Sequence, residues 1–333
     1  MQIMKKIIFI NVIIVIFILI IFELISNLFQ LSNLKGIGPG IIDATKGKIH
    51  KMIPNSSGIL FGEKIFIDKN GFRVPEKNYK YNSLGKSVFI IGDSTTFGNG
   101  ISEENTFIGI LRKNFNKWNF YNTAVPGYNI KHFSENLNQI DDFENIKKVF
   151  YFITLNDVYG GASIVDLNKK KKVKIPKSEE KMLILNDIRN IKIISRLNEF
   201  LRNKSYLYMF LKGVAIDPSK KYFKNILNIY SKDDLSHMND YVLRLDKKLL
   251  DKKIKLKIII LPYEFQTRNC SKKNLMPQNK ISKILTKLKV DFSDYSTNFC
   301  NHEDPKSLFY KFDPMHLSIK GHSLVVDLIK NEI

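Results

Sequence analysis

Three kinds of hydrophobic pattern run along the chain. From Ile7 to Phe29 the sequence IIFINVIIVIFILIIFELISNLF is interrupted only by Asn11, Glu23, Ser26 and Asn27. About 20 such residues, rising 1.5 Å each, span a bilayer core of roughly 30 Å, so a transmembrane helix is predicted. A cleavable signal peptide would carry a shorter apolar stretch and then a small-x-small site. The segment ends without one, so an uncleaved anchor is expected, with a signal peptide as the alternative. Lys5 and Lys6 precede the span and only Lys35 follows it closely, which places the amino terminus in the cytoplasm and the rest outside. Lys46, Lys48 and Lys51 reduce that asymmetry in a wider window.

The second pattern is a short alternation. Lys64-Ile-Phe-Ile-Asp68 followed by Lys69-Asn70-Gly71 predicts a strand and an Asn-Gly turn within a juxtamembrane stretch, residues 30–85. The third pattern starts at Ser87, where apolar runs alternate with segments of helical period. Strands are predicted at Ser87–Ile91, Trp118–Tyr121, Lys148–Ile153, Leu256–Leu261 and Val290–Phe292. Lys148–Ile153 is apolar throughout its centre, the signature of a strand buried on both faces. Phe107/Ile110/Leu111/Phe115, Ile130/Phe133/Leu137/Ile140 and Ile281/Ile284/Leu285/Leu288 are helix faces, and Ser318 is placed to cap a closing helix from about Ile319. Such alternation predicts an α/β layered domain with a parallel sheet over 86–333, carrying a helical insertion at about 158–250.

Composition narrows the classes. The 333 residues are 44% hydrophobic, enough for a core, and they show no 20–50-residue repeat. Two cysteines are too few for a disulfide mini-protein or a four-thiolate zinc module. The net charge of +21 suits an anionic polymer or membrane surface, but no nucleic-acid module is recognisable, so no nucleic-acid partner is expected. The lysine run 169–172, with Lys174 and Lys177 beside Pro176, is best explained as a solvated loop.

In an open parallel sheet, ligands sit at the carboxyl ends of the strands. The first of those ends carries Gly92-Asp93-Ser94-Thr95-Thr96, the second Pro126-Gly127, and the third Thr154-Leu155-Asn156-Asp157. Asp313-Pro-Met-His316 precedes the last helix. Taken singly, each has a plainer explanation: a turn, a loop cap or a surface ion pair. In this order they resemble the SGNH (GDSL-type) serine hydrolase superfamily over about 87–332, and Asn70-Gly-Phe-Arg73 is similar to the lead-in of its membrane-anchored bacterial members.

The resemblance implies a three-layer α/β/α flavodoxin-like fold behind the anchor. It also implies Ser94 as nucleophile, His316 as base, Asp313 as its orienting carboxylate, and an oxyanion hole from the N–H groups of Ser94 and Gly127 with the Asn156 amide. A hydroxyl needs a base within reach, and the developing oxyanion needs donors already in place. Gly127 is expected because no side chain would block its amide. Thr154 stands where the family commonly has Gly, and Thr95-Thr96 also departs from its pattern, which bears on the acyl pocket and not on the reaction class.

The expected substrate is an acylated envelope glycan or a small ester, and the reaction hydrolysis through an acyl-serine. Acyl transfer to a polysaccharide, or a non-catalytic glycan-binding module, are the alternatives. No cofactor and no metal is expected. Cys300, His302, Glu303 and Asp304 with His316 and His322 lack a second close ligand pair of usual spacing. Cys270 and Cys300 are expected either to pair in an oxidising compartment or to remain buried thiols. His132 is expected to be exposed, His322 to face the helix surface or to cap a local contact, and Phe299 and Tyr310 to be core or pocket-wall aromatics. The oligomeric state is left open.

Overall fold

The computed structural model describes the chain except for residues 1, 33, 35–39, 44–48, 144 and 159–191. The lysine run of 169–177, Lys35, Lys46, Lys48 and the first part of the predicted insertion lie outside the described residues. Two compact units form. One contains the helix α1 (Gln2–Leu28) and reaches residue 36, resuming before residue 217; the other holds most of 37–173 and 218–333.

The larger unit is built on one eight-stranded sheet. In chain order, β1 (Ile42–Asp43) and β2 (Lys51–Met52) form a small antiparallel ribbon of their own. The main sheet takes β3 (Ser57–Leu60), β4 (Glu63–Ile67), β5 (Arg73–Val74), β6 (Lys86–Gly92), β7 (Trp118–Asn122), β8 (Ile146–Ile153), β9 (Lys255–Ile260) and β10 (Phe292–Asp294) in the order β10-β9-β8-β6-β7-β5-β4-β3. The five strands from β10 to β7 are parallel, and β5, β4 and β3 continue the sheet antiparallel. Residues 57–74, expected as a separate juxtamembrane element, are thus an extension of the central sheet, with Arg73 paired to Asn122. Two strands paired only with each other are marginal in water, and docking on the edge of a larger sheet removes that difficulty.

Period-two alternation assigns each strand residue to a layer. Phe89, Ile91, Val149, Tyr151, Ile153, Ile258 and Ile260 face one side. There they meet the helices α4 (Ile130–Asn136), α7 (Pro218–Lys232), α8 (Ser236–Leu250) and α10 (Met276–Leu288) through residues such as Phe133, Phe223, Val242 and Ile281. Val88, Ile90, Phe150, Phe152 and Ile259 face the other. They meet α3 (Phe107–Asn114) and the closing helix α12 (Ile319–Ile329), which starts at the Ser318 cap. Both faces of the parallel strands are covered, which explains their continuous apolar sequences. The expected three-layer α/β arrangement is observed, and the antiparallel extension is the addition.

The helical stretch before residue 250 divides between the units. Helices α5 (Lys192–Lys204) and α6 (Tyr206–Ile216) belong with α1, whereas α7 and α8 cover the sheet.

Candidate active site

Among the parallel strands, numbered in chain order, the spatial order is 2-1-3-4-5, and the order reverses between the first strand, β6, and the third, β8. Chains leaving neighbouring strands there diverge to opposite faces and open a crevice at the carboxyl ends. Ser94 follows β6 at that point. Gly127 follows β7 on one side and Asn156 follows β8 on the other.

The turn after β6 is tight. Gly92 has φ +158°, and a Cβ on it would sit 2.1 Å from Thr96 Oγ1 and 2.8 Å from the Phe152 carbonyl oxygen, so only glycine fits. Ser94 begins the short helix α2 (Ser94–Phe97), whose N-cap is Asp93, accepting from the Thr95 N–H at 2.8 Å. Gly98 closes it at φ +84°.

The loop before α12 supplies the second part. Asp313 is 3% exposed, and one of its oxygens accepts the backbone N–H groups of Met315 and His316 at 3.0 and 2.9 Å. The imidazole of His316 stands with Nδ1 at 3.0 Å from both Asp313 oxygens and Nε2 at 2.9 Å from Ser94 Oγ. The network assigns a proton to Nδ1, donated to the carboxylate, and leaves Nε2 to accept from the serine hydroxyl. Residues 222 positions apart are joined because the loop is pinned as a closed unit: Tyr310 N–H donates to the His316 carbonyl at 3.0 Å, Phe309 bridges Leu317, and Ser219 Oγ donates to the Asp313 carbonyl at 3.0 Å. Phe61, from the antiparallel extension, packs on the His316 ring with centroids 5.4 Å apart.

The third part surrounds Asn156. Its Nδ2 lies 3.2 Å from Asp93 Oδ2 and 3.4 Å from Asp157 Oδ1. Its Oδ1 accepts from the Tyr263 hydroxyl at 2.5 Å and is 2.8 Å from Thr154 Oγ1, which is also 3.0 Å from Asp93 Oδ2. Asp93 therefore caps the serine helix with one oxygen and holds the Asn156 loop with the other. Thr154 contributes a hydroxyl to this lattice where a glycine would leave a gap. Asp157 is fully buried beside Asp93, and burial first, then that neighbouring charge, raises its carboxyl well above the ordinary range.

Gly127 has φ +83°, and a Cβ there would lie 3.6 Å from the nearest atom, His50 Cε1. The positive φ by itself favours glycine at this position. The His50 Nε2–H donates to the Pro126 carbonyl at 2.7 Å, and the Tyr128 hydroxyl donates to the His50 carbonyl at 2.7 Å, so two contacts from residue 50 brace the Gly127 turn.

His50, Tyr263 and Asp93 escaped the sequence reading. His50 and Tyr263 lie 76 and 107 positions from their partners, with no motif around them. Asp93 had a signal, its place between Gly92 and Ser94.

Neither of two other histidines lies open at the surface, and His322 takes a capping role. His322 is 1% exposed, stacks on Phe107 and accepts the Phe107 N–H at 3.1 Å through Nδ1. It serves as a cap for α3, because a helix N-terminus buried against α12 needs an acceptor for its free N–H groups. His132 is half-buried, stacks on Tyr128 and forms a capping box with Asn129. Cys270 and Cys300 are joined by a disulfide with Cα atoms 5.9 Å apart. Phe299 is buried in the core and Tyr310 donates its hydroxyl to the Gly100 carbonyl. Among the described residues no group of three or more His, Cys, Asp or Glu side chains converges to hold a metal ion.

No family model matches the chain, and no curated protein matches it. Among solved structures it is similar to a member of the lipolytic protein G-D-S-L family from Veillonella parvula DSM 2008, at 9% identity over 74% of this chain and 97% of that one, with a TM-score of 0.40. It is also similar to the lipase/acylhydrolase from Enterococcus faecalis, at 11% identity, 74% and 96% coverage and a TM-score of 0.40. A third is the psychrotrophic esterase EstA from Pseudoalteromonas sp., at 11% identity, 74% and 95% coverage and a TM-score of 0.38. At these values the likenesses bear no functional weight, and what this site does must be argued from its own geometry.

Proposed function

We propose that this protein is a membrane-anchored serine esterase of the SGNH type. The observation that supports it most is the chain Asp313–His316–Ser94, continuous in hydrogen-bond contacts of 2.9–3.0 Å. In the proposed reaction Ser94 Oγ attacks an ester carbonyl while His316 Nε2 takes its proton. The imidazolium is stabilised by Asp313, and its proton passes to the departing alcohol. Water then attacks the acyl-serine, its proton goes to His316, and Ser94 leaves with that proton restored.

The oxyanion would be met by the Ser94 and Gly127 N–H groups and by Asn156 Nδ2. The 3.4 Å contact of that nitrogen with Asp157 is at the weak edge of hydrogen bonding, so a developing oxyanion competes for the hydrogen at small cost.

An O-acyl group on an envelope carbohydrate, O-acetyl in the first instance, is the proposed natural ester. Its support is the resemblance of the motifs to anchored family members, together with an N-terminal helix long and apolar enough to cross a bilayer. The proposed placement has the amino terminus cytoplasmic and the larger unit outside. The test is hydrolysis of p-nitrophenyl acetate by the full chain in detergent beside Ser94→Ala. Equal rates would overturn the nucleophile. Acetate released from an O-acetylated polysaccharide supports hydrolysis of the natural ester, whereas acetyl transferred to an oligosaccharide acceptor in preference to water makes the enzyme a transferase using the same acyl-serine.

A further inference from the structure

The smaller unit exposes more apolar surface than its membrane-length helix requires. In α5 the residues Ile193, Leu197 and Phe200 recur at helical spacing and are 76%, 54% and 61% exposed. In α6, Leu211 and Val214 form a second stripe, 56% and 63% exposed, with Leu207 half-buried in line. Contiguous apolar stripes of this kind are not left to water in a soluble fold.

What joins the stripes to α1 is a carboxylate. Glu23 accepts from the Ser205 hydroxyl at 2.6 Å, from the Tyr206 N–H at 2.7 Å and from the Leu207 N–H at 3.1 Å. It caps the first turn of α6 directly. Ser32 Oγ adds a bond to the Tyr206 carbonyl at 2.6 Å. The two helices are fastened to each other through Asn198 Oδ1, which accepts from the Tyr208 hydroxyl at 2.7 Å and from Lys212 Nζ at 2.9 Å. Glu23 lies five residues before the end of α1, about 7 Å along its axis. With the end of α1 at the bilayer surface, that distance corresponds to the headgroup–acyl boundary, where amphipathic helices lie with an apolar face about 5–10 Å deep.

We propose that α5 and α6 form a shoulder seated in the lipid interface beside the anchor, with Ile193, Leu197, Phe200, Leu211 and Val214 against acyl chains. Exposed Arg196, Arg202 and Lys204 supply the charge complementarity to lipid phosphates. The Glu23 carboxylate is tolerable at that depth because its oxygens meet three donors. The shoulder is independent of the esterase reading and rests on α1 spanning the bilayer.

The test places single cysteines, one per protein, at Leu197, Phe200 and Val214 of the full chain, labels them with an environment-sensitive fluorophore, and reconstitutes the protein in phosphatidylcholine–phosphatidylglycerol vesicles. Val15 serves as the reference for acyl-chain contact and Leu84, 91% exposed, as the reference for water. Quenching by doxyl-labelled lipid at Leu197, Phe200 and Val214 within twofold of Val15, with iodide quenching at least threefold below Leu84, is expected. Doxyl and iodide quenching equal to those at Leu84 overturns the proposal. Labels shielded from both quenchers also overturn it, in favour of a second protein copy covering the face. A Val15 label that lipid does not quench removes the spanning anchor, and the shoulder with it.

Discussion

Arg73 Nη1 donates to the Gly98 carbonyl oxygen at 2.7 Å, and the same nitrogen reaches the Phe97 carbonyl at 2.7 Å. The antiparallel extension thereby holds the end of the four-residue helix that begins with Ser94. Arg73 is wholly buried, and burial lowers its guanidinium to about 10, which leaves it charged at neutral pH. Its second amino nitrogen reaches the Ile101 carbonyl, while Arg112, paired with Glu103, donates to the Arg73 carbonyl at 3.1 Å. Arg73→Met takes the guanidinium from three buried carbonyls, leaving that of Phe97 with Asn122 Nδ2 at 3.3 Å, that of Gly98 with the Ile101 N–H at 3.2 Å and that of Ile101 without this donor, and is expected to cost about 3–5 kcal/mol of stability. Arg73→Lys is expected to recover only part of it, because an ammonium cannot reproduce the fork. Thermal unfolding of the three proteins in detergent checks this, and a Met variant within about 1 kcal/mol of the parent would remove Arg73 from this role.

The imidazole of His316 is held in one tautomer by Asp313, so Asp313→Asn is expected to lower kcat by about 10⁴-fold with the fold intact. Ester turnover alongside thermal unfolding separates the lost tautomer from a lost structure. A loss under tenfold would mean that the carboxylate is not setting the ring.

Removing one oxyanion donor costs about 3–4 kcal/mol in the transition state. Asn156→Ala is therefore expected to reduce kcat by about 10²–10³-fold with KM little changed. Tyr263→Phe deletes the hydroxyl that holds Asn156 Oδ1 and is expected to cost about tenfold in kcat, equivalent to one ordinary hydrogen bond. Steady-state kinetics on p-nitrophenyl acetate checks both, and an unchanged kcat in Asn156→Ala would take that amide out of the oxyanion hole.

His322 is buried neutral, its value lowered from 6.5 to about 3 by burial first, then by the charge of Arg73. The unfolded chain binds a proton there that the folded chain refuses. Stability contributed by the neutral ring is whole above pH 6.5 and drains away as the pH falls towards 3. Between pH 7.5 and 5 the loss from this group is about 2 kcal/mol. His322→Gln is expected to be less stable than the parent at pH 7.5 but to lose less between the two pH values, as read by thermal unfolding at each. Parallel losses in the two proteins would contradict the assignment.

The Cys270–Cys300 bond joins residues 30 positions apart. Chain-entropy arguments put its contribution at about 3–4 kcal/mol. The double change to serine is expected to lower the unfolding midpoint by several degrees while leaving kcat near that of the parent at 25 °C. A midpoint unmoved by either reduction or mutation would show that the link adds no stability.

Much of the architecture was legible because burial on both faces leaves a local mark. Val149 to Ile153 could hardly be anything but an interior strand, and the Ser318 cap preceded its helix as expected. What was missed shares one cause, partnership over long distances. Residues 57–74 carry the alternation of a strand but nothing that says which edge they join. His322 has the sequence position of a helix-surface residue, and only the packing of α12 on α3 buries it. His50 has no local pattern at all, and its bond to Pro126 exists because the ribbon of β2 is brought to the Gly127 turn.

The chain alone determined the parallel layered core, the membrane-length helix and the residue types gathered at the strand ends, since periodicity and motif spacing are properties of neighbours in sequence. Tertiary structure decided that the order reverses beside β6, that Asp313, His316 and Ser94 stand in a line of contacts, and that Asp93 couples the serine helix to Asn156. Those relations depend on where separate strands and loops meet, and a hydrogen bond is set by distance and angle in space, not by separation along the chain.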